Sequence, residues 1–248
     1  MAVNIGGVPY IPGMYAKRRP SAAEMANQYI SEWDKRRLQA KQEQPQRGIP
    51  PTICFSRKIG VGALEVADIL AEKIHYRVID REILEHIAAE AKLSENTVSF
   101  FDERYPGVLN EFLALLFGEK SFIKSDYTRH LFSVVLSIAG LEPTVFVGRG
   151  THLILPRDRV MAVRFISSSD HRAKRLAAVL KVEEKEAREK LDEIDKEQRD
   201  FFKRVYGKKD ASPYEFDLVI NCDFIKDPEV AAEIVRHAFT QKFGPELR

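Results

Sequence analysis

The segment Thr52-Ile-Cys-Phe-Ser-Arg-Lys-Ile-Gly-Val-Gly-Ala-Leu-Glu-Val-Ala67 sets two cations and two glycines between an apolar run and an amphipathic one. Folded as strand, turn and helix, such a stretch points backbone N–H groups and the positive end of a helix dipole at one spot, where an anion gains several hydrogen bonds at once. Ser56, Gly60, Val61, Gly62 and Ala63 are the turn residues that would touch the anion. The turn is not a complete G-x-x-x-x-G-K-[ST] phosphate loop. That pattern puts its first glycine at Arg57, its lysine at Ala63 and its cation-binding hydroxyl at Leu64. Arg57 and Lys58 are then the nearest groups able to replace the absent ammonium.

Three further clusters follow apolar, strand-like runs. Asp80, Arg81 and Glu82 could address ribose hydroxyls, a base edge or a phosphate, while Asp80 alone could equally cap the helix that begins there. Gly148-Arg149-Gly150 presents a guanidinium between two residues that let a ligand approach the backbone, either for a bidentate phosphate contact or as a plain solvent-facing turn. The third cluster is the charged stretch Val182–Tyr206, with Arg172 and Arg175 at the start of the preceding helix. Its pairs Asp195/Arg199 and Asp200/Arg204 have i,i+4 spacing, which suits a solvated helix face. They equally suit a lid that brings Arg199 and Arg204 over transferring phosphates. The six histidines show no metal-ligand spacing, and no Ser-His-Asp arrangement or G-x-S-x-G elbow occurs, so no metal site is expected.

The elements that must hold these groups read as an α/β fold. Ile53–Ser56, Tyr76–Ile79, Thr144–Val147, Val160–Ile166 and Phe216–Asn221 are short, β-branched or aromatic runs, as expected of five parallel strands covered on both faces by helices. Ala63, Val66, Ala67 and Leu70 form the inner face of the first helix, and Ile83, Leu84, Ile87, Ala88 and Ala91 that of the second. A closing helix after Asp227-Pro228 turns Val230, Ala231, Ile234, Val235 and Ala238 inward. Residues 94–140 read as mostly helical and fill the longest gap between strands, a place for a pocket wall or lid.

Residues 1–50 read as an extension to the domain at 51–248. Residues 1–20 have no usable period and are expected to be mobile or laid over another surface. Ser21 and Glu24 then form a capping-box pattern ahead of a helix with Met25, Tyr29, Ile30 and Trp33 on one stripe. That stripe needs a partner, either the chain's own domain or a second subunit in a homodimer.

Composition narrows the partners. A net charge of +2 from 39 basic and 37 acidic residues gives no global field for nucleic acid or an anionic membrane. No apolar run reaches membrane-spanning length and the start lacks an export pattern, so a soluble cytoplasmic protein is expected. Cys54 and Cys222 sit in apolar runs and read as buried, reduced thiols.

Taken in order from Pro51 to Val235, these pieces resemble the cytidylate-kinase-like family of P-loop proteins. Ile53–Ala67 is similar to its opening strand and I-S-R-x-[FY]-G-S-G-G-x-x-[IV]-A loop, and Val78–Leu84 to its Y-D-R-E-L-L segment. Phe146–Gly150 is similar to its glycine-arginine-glycine turn, His171–Arg175 to its pre-lid arginines, and Asp195–Gly207 with Phe216–Asn221 to its lid and last strand. The resemblance implies a nucleoside-monophosphate-kinase-type fold, ATP with Mg2+ as cofactors, and a nucleoside monophosphate, a pyrimidine one among them, as acceptor. It implies Arg149 on the acceptor phosphate with Asp80 and Arg81 as further substrate-binding residues, Arg57 and Lys58 in place of the loop lysine, Arg172 on the nucleotide cofactor, and Arg199 or Arg204 closing from the lid. The chain departs from the family where Ala63 and Leu64 replace a glycine and a polar residue, so no protein ligand for Mg2+ is identified. It departs from authentic cytidylate kinases at Val147 and Gly150, where those enzymes carry aspartates, and near His86, where they carry an arginine. Two functions stay open: a nucleotide kinase, and a kinase-like module that binds nucleotide without turnover.

Overall fold

The structure, a computed structural model, describes residues 3–5, 8–10, 20–39, 49–104, 107, 126–208 and 211–244. Its centre is a five-stranded sheet of β3 (Thr52–Arg57), β4 (Arg77–Asp80), β5 (Thr144–Val147), β6 (Val160–Ile166) and β7 (Leu218–Asn221). The spatial order is β4-β5-β3-β6-β7 with every pairing parallel, so all five carboxyl ends share one edge. This is the expected sheet. Three strand starts differ by a residue or two, β3 beginning one residue early at Thr52 and β4 and β7 beginning late. Tyr76 closes the end of the preceding helix through its N–H to Ala71 O, and Phe216 follows a 3-10 turn that Ser212 and Glu215 cap reciprocally.

Alternation along the strands divides the core between the two faces. One face takes Ile53, Phe55, Val145, Val147, Val163, Phe165 and Ile220, covered by α2 (Ala63–Ile74) and the closing helix α8 (Pro228–Phe243). Asp227 caps α8 as its sequence predicts, but Val230 is 49% exposed and the inward face runs instead through Ala231, Ala232, Val235, Phe239 and Phe243. The other face takes Cys54, Ile79, Phe146 and Ala162, covered by α3 (Arg81–Ala89), α4 (Ala91–Arg104) and α5 (Asp126–Leu141). Ile83, Leu84, Ile87 and Ala88 are buried in α3 as expected, while Ala91 belongs to α4. The helical reading of 94–140 holds for 94–104 and 126–140; 105, 106 and 108–125 lie outside the described residues.

The extension α1 (Ala22–Gln39) belongs to this second face. The Ser21–Glu24 capping box forms as its sequence predicts. Tyr29 and Trp33 are buried, Met25 and Ile30 pack beside them, and Trp33 Nε1 donates to Glu142 Oε1 at 3.0 Å. Arg77 ties the contact down through Glu32 at 2.6 Å and Glu142 at 2.7 Å, with its guanidinium 4.0 Å from the Tyr29 ring centre. The stripe is thus covered by the chain's own domain, which removes the reason to expect a second subunit on it. Of residues 1–20, Val3–Ile5 (β1) and Val8–Tyr10 (β2) form an antiparallel pair beside the long charged helix, where the sequence shows no period; 1, 2, 6, 7 and 11–19 lie outside the described residues.

That helix is α7 (Glu184–Tyr206), which with α6 (Ser169–Leu180) makes a hairpin over the carboxyl edge of the sheet. The pair has a small core of its own in Ala173, Leu176, Leu180, Ala187, Leu191 and Ile194, joined by Ile59 from the turn after β3. Among the described residues no helix is long and apolar enough to cross a membrane. Cys54 and Cys222 are buried free thiols, and burial pushes them up to about 12 and about 11.

Candidate active site

The turn after β3 folds into the helix start that its glycines require. Gly60 and Gly62 have φ of 85° and 88°, in the left-handed region, and Gly62 caps α2 without any side-chain hydrogen bond to the first turn. The first turn of α2 is thus left without a side-chain cap, and the whole run from Ile59 to Leu64 is buried. Val61, Ala63 and Leu64 join the core, at 6%, 1% and 2% exposure. None of these side chains can hold a cation.

Two residues of α6 reach this turn, Arg172 at Ile59 and Gly60 and Arg175 at Gly62. A methyl group at Gly62 would lie 3.0 Å from the Arg175 guanidinium, which also pairs with Glu65 at 2.6 Å. Arg172, chosen from sequence for the nucleotide, is instead buried at 2% exposure. Its terminal nitrogens bind both oxygens of Asp195 at 3.0 and 2.8 Å and the carbonyl of Ile59 at 3.2 Å. Lys58 joins the same carboxylate at 3.2 Å. Asp195 thus bolts α7 to α6 and to the turn, and its helical neighbour Arg199 is exposed and lies outside the cavity described next. Ser56 is buried beneath the turn, where its hydroxyl accepts from Arg164 at 3.2 Å. Asp80 takes the capping role: its carboxylate accepts from the amides of Glu82 and Ile83, both at 3.0 Å.

The remaining arginines converge. Arg57, Arg81, Arg149 and Arg204, together with the carboxylates of Glu85, Glu197 and Asp200, line one cavity of about 560 Å3, between the carboxyl ends of β3, β4 and β5 and the inner side of α7. The position beyond the strand ends is the one that open parallel sheets use for ligands. Arg149 stands at φ 54° between Gly148 and Gly150, a strained backbone held from above by α7. Tyr206 Oη donates to its carbonyl at 2.5 Å, its guanidinium lies 4.0 Å from the Phe201 ring centre, and Glu85 pairs with it. Gly150 has no room for a side chain, because a Cβ there would lie 2.8 Å from the Tyr206 ring. Gln198 completes the closure by donating to Arg57 O at 2.9 Å.

Electrostatics gives this cavity its character. Burial, reinforced by repulsion from Arg81 and Arg57, pulls the Arg149 guanidinium down to about 9, so the charge stays on at neutral pH but in an unfavourable field. Nε of Arg81 and Nε of Arg149 are both buried donors with no acceptor among the described residues. Buried unpaired donors cost roughly 1–3 kcal/mol each, more when charged. A larger cavity of about 890 Å3 lies between α1 and α2, but Glu32, Glu65, Asp68, Glu72, Glu142 and Glu229 line it, and its field repels an anion.

Sequence reasoning found the four arginines and set Arg175 near the same edge, but did not find Glu65, Glu85, Gln198, Phe201 or Tyr206 as parts of the site. Spacing held some of the signal: Glu85 is one turn from Arg81, and Gln198 shares a face with Ile194 and Phe201.

A parallel sheet of this order, a glycine turn at the end of its central strand, an arginine cavity beside it and a helical hairpin above define a P-loop kinase-like protein. The chain belongs to the cytidylate kinase-like family, whose sequence profile matches residues 52–223. Among solved structures it is similar to an uncharacterized protein from Eubacterium ventriosum, at 20% identity and a TM-score of 0.58 over 80% of this chain and 99% of that one. Shikimate kinases from Bacteroides thetaiotaomicron and Acinetobacter baumannii align at 14% identity with TM-scores of 0.38 and 0.39, over 77% and 80% of this chain and 96% of each of theirs. No curated protein matches.

Proposed function

We propose that this protein is a nucleotide kinase that holds the phosphate of a nucleoside monophosphate among Arg57, Arg81 and Arg149, with Arg204 closing over it from α7. The observation behind the proposal is the convergence of four guanidinium groups on one cavity at the carboxyl ends of β3, β4 and β5. A phosphate monoester supplies two negative charges and several acceptor oxygens, which suits bidentate guanidinium donors. On this reading the uncapped first turn of α2 at Ala63 and Leu64, with Arg175 beside Gly62, is the donor-side anion site for ATP, reached when the buried turn gives way. Phosphoryl transfer depends on positioning and charge neutralisation, so guanidinium groups on both sides of the gap are the contribution this chain can make.

Magnesium held by the protein does not fit. Ala63 and Leu64 are buried and apolar, and among the described residues no cluster of three His, Cys, Asp or Glu could hold a metal. The same positions favour a second reading, nucleotide binding without turnover, because Lys58 and Arg172 are both drawn to Asp195.

A coupled assay with ATP, magnesium chloride and a panel of nucleoside monophosphates separates the readings. Turnover that disappears in Arg57→Ala and Arg149→Ala supports the kinase. Saturable nucleotide binding without turnover supports the binding module. Thermal shifts unmoved by any nucleotide at millimolar concentration refute both.

A further inference from the structure

The five exposed large hydrophobic side chains of the described residues are not scattered. Tyr214 precedes β7, Val219 lies in it, Phe224 follows it, Ile166 ends the neighbouring β6, and Val230 opens the helix after β7. Tyr214 is 97% exposed, Phe224 83% and Val219 43%. β7 is also the edge strand of the sheet, with β6 on one side and one row of backbone groups facing outward. Natural edges are blunted by charge, by proline or by a covering element. Leu218, Val219 and Ile220 carry no charge, and the flanking carboxylates are already neutralised. Asp217 pairs with Arg157 at 2.7 Å and Lys242 at 2.9 Å, and Asp223 accepts from Ser167, Ser168 and His171.

We infer that β7 pairs antiparallel with β7 of a second copy of this chain, making a two-fold dimer with a continuous ten-stranded sheet. The sequence of the edge is self-complementary under that symmetry. A dyad centred on Val219 sets Val219 beside its symmetry mate and Leu218 opposite Ile220, so the centre of the pairing is apolar, with Asn221 opposite Asp217 at its ends. The same dyad brings the end of the strand that carries Phe224 to the end that carries Tyr214. Four residues make a short ladder, and the aromatic flanks must supply the area it lacks. Two aromatic side chains from each copy bury roughly 600–1,000 Å2 when covered. A specific interface clears about 1,000 Å2, which the strands and Ile166 then complete.

Analytical ultracentrifugation of the full chain from 1 to 100 µM tests the assignment. The expected result is twice the chain mass at the upper concentrations, and a single-chain mass for Val219→Lys and for Phe224→Glu. Both sites are partly or largely exposed, so circular dichroism and melting temperature should match the unaltered protein. Tyr214→Ala should raise the dimer dissociation constant at least tenfold. A single-chain mass for the unaltered protein throughout the range overturns the inference, as does a dimer that survives both Val219→Lys and Phe224→Glu.

Discussion

Around Gly62 the deciding contact is between Arg175 and Glu65, 2.6 Å apart and both about one-quarter exposed. On the proposed function, a nucleotide phosphate at the start of α2 competes with Glu65 for that guanidinium. Glu65→Gln removes the competitor, and an exposed pair of this kind contributes up to about 1 kcal/mol, so ATP should bind up to about fivefold more tightly by calorimetry. An unchanged affinity would mean that Arg175 does not reach the phosphate. Arg81→Gln has two opposite effects. It removes a half-buried cation that repels the Arg149 guanidinium, so the melting temperature of the free protein should hold or rise. It also removes a charge-assisted hydrogen bond worth about 1.5–3 kcal/mol, so nucleoside monophosphate affinity should fall by roughly 10–100-fold. A simultaneous loss of stability and binding would mark Arg81 as structural.

Asp195 governs how α6, α7 and the β3–α2 turn meet. Asp195→Ala leaves the Arg172 guanidinium buried without its carboxylate, which costs about 3–5 kcal/mol of stability in urea unfolding. Adding Arg172→Met should recover much of that loss, because an apolar side chain of similar length fits the space. A double variant as unstable as Asp195→Ala would show that the ion pair is not what binds the hairpin down. This bolt was not legible in the sequence. Asp195 and Arg199 have the spacing of a surface helical pair, and only the packing of α6 on α7 turns Asp195 inward to Arg172. The strands were legible because a sheet covered on both faces demands unbroken apolar runs, and those runs reappear nearly to the residue. The arginines of the cavity were legible for a topological reason, since in a parallel sheet the residue after each strand reaches the same edge. Arg172 and Arg175 are one helical turn apart, and their chain positions alone do not say which one reaches Gly62.

Distant parts of the molecule meet at His152, which links the Gly148–Gly150 turn to the segment leading from α7 into β7. The ring is buried 4.8 Å from Phe216, and its Nε2 lies 3.5 Å from Glu215 Oε2. Glu215 is in turn held by Lys208 at 2.7 Å, beyond the end of α7. Burial pulls His152 down to about 4, and the attraction of Glu215 only partly offsets it. The unfolded chain takes up this proton near pH 6.5 and the folded chain not until about pH 4. Stability from the neutral ring is therefore complete above pH 6.5, falls as the pH drops through that window and levels off below pH 4. Between pH 7.5 and 5 the loss is on the order of 2 kcal/mol. His152→Gln gives up some packing on Phe216 at every pH but does not titrate. The stability difference between the two proteins, from urea unfolding at pH 7.5, 6 and 5, should shift by about that amount in favour of the variant as the pH falls. A difference that stays constant across the three would show that protonating His152 does not strain the junction between the arginine turn and the helix that covers it.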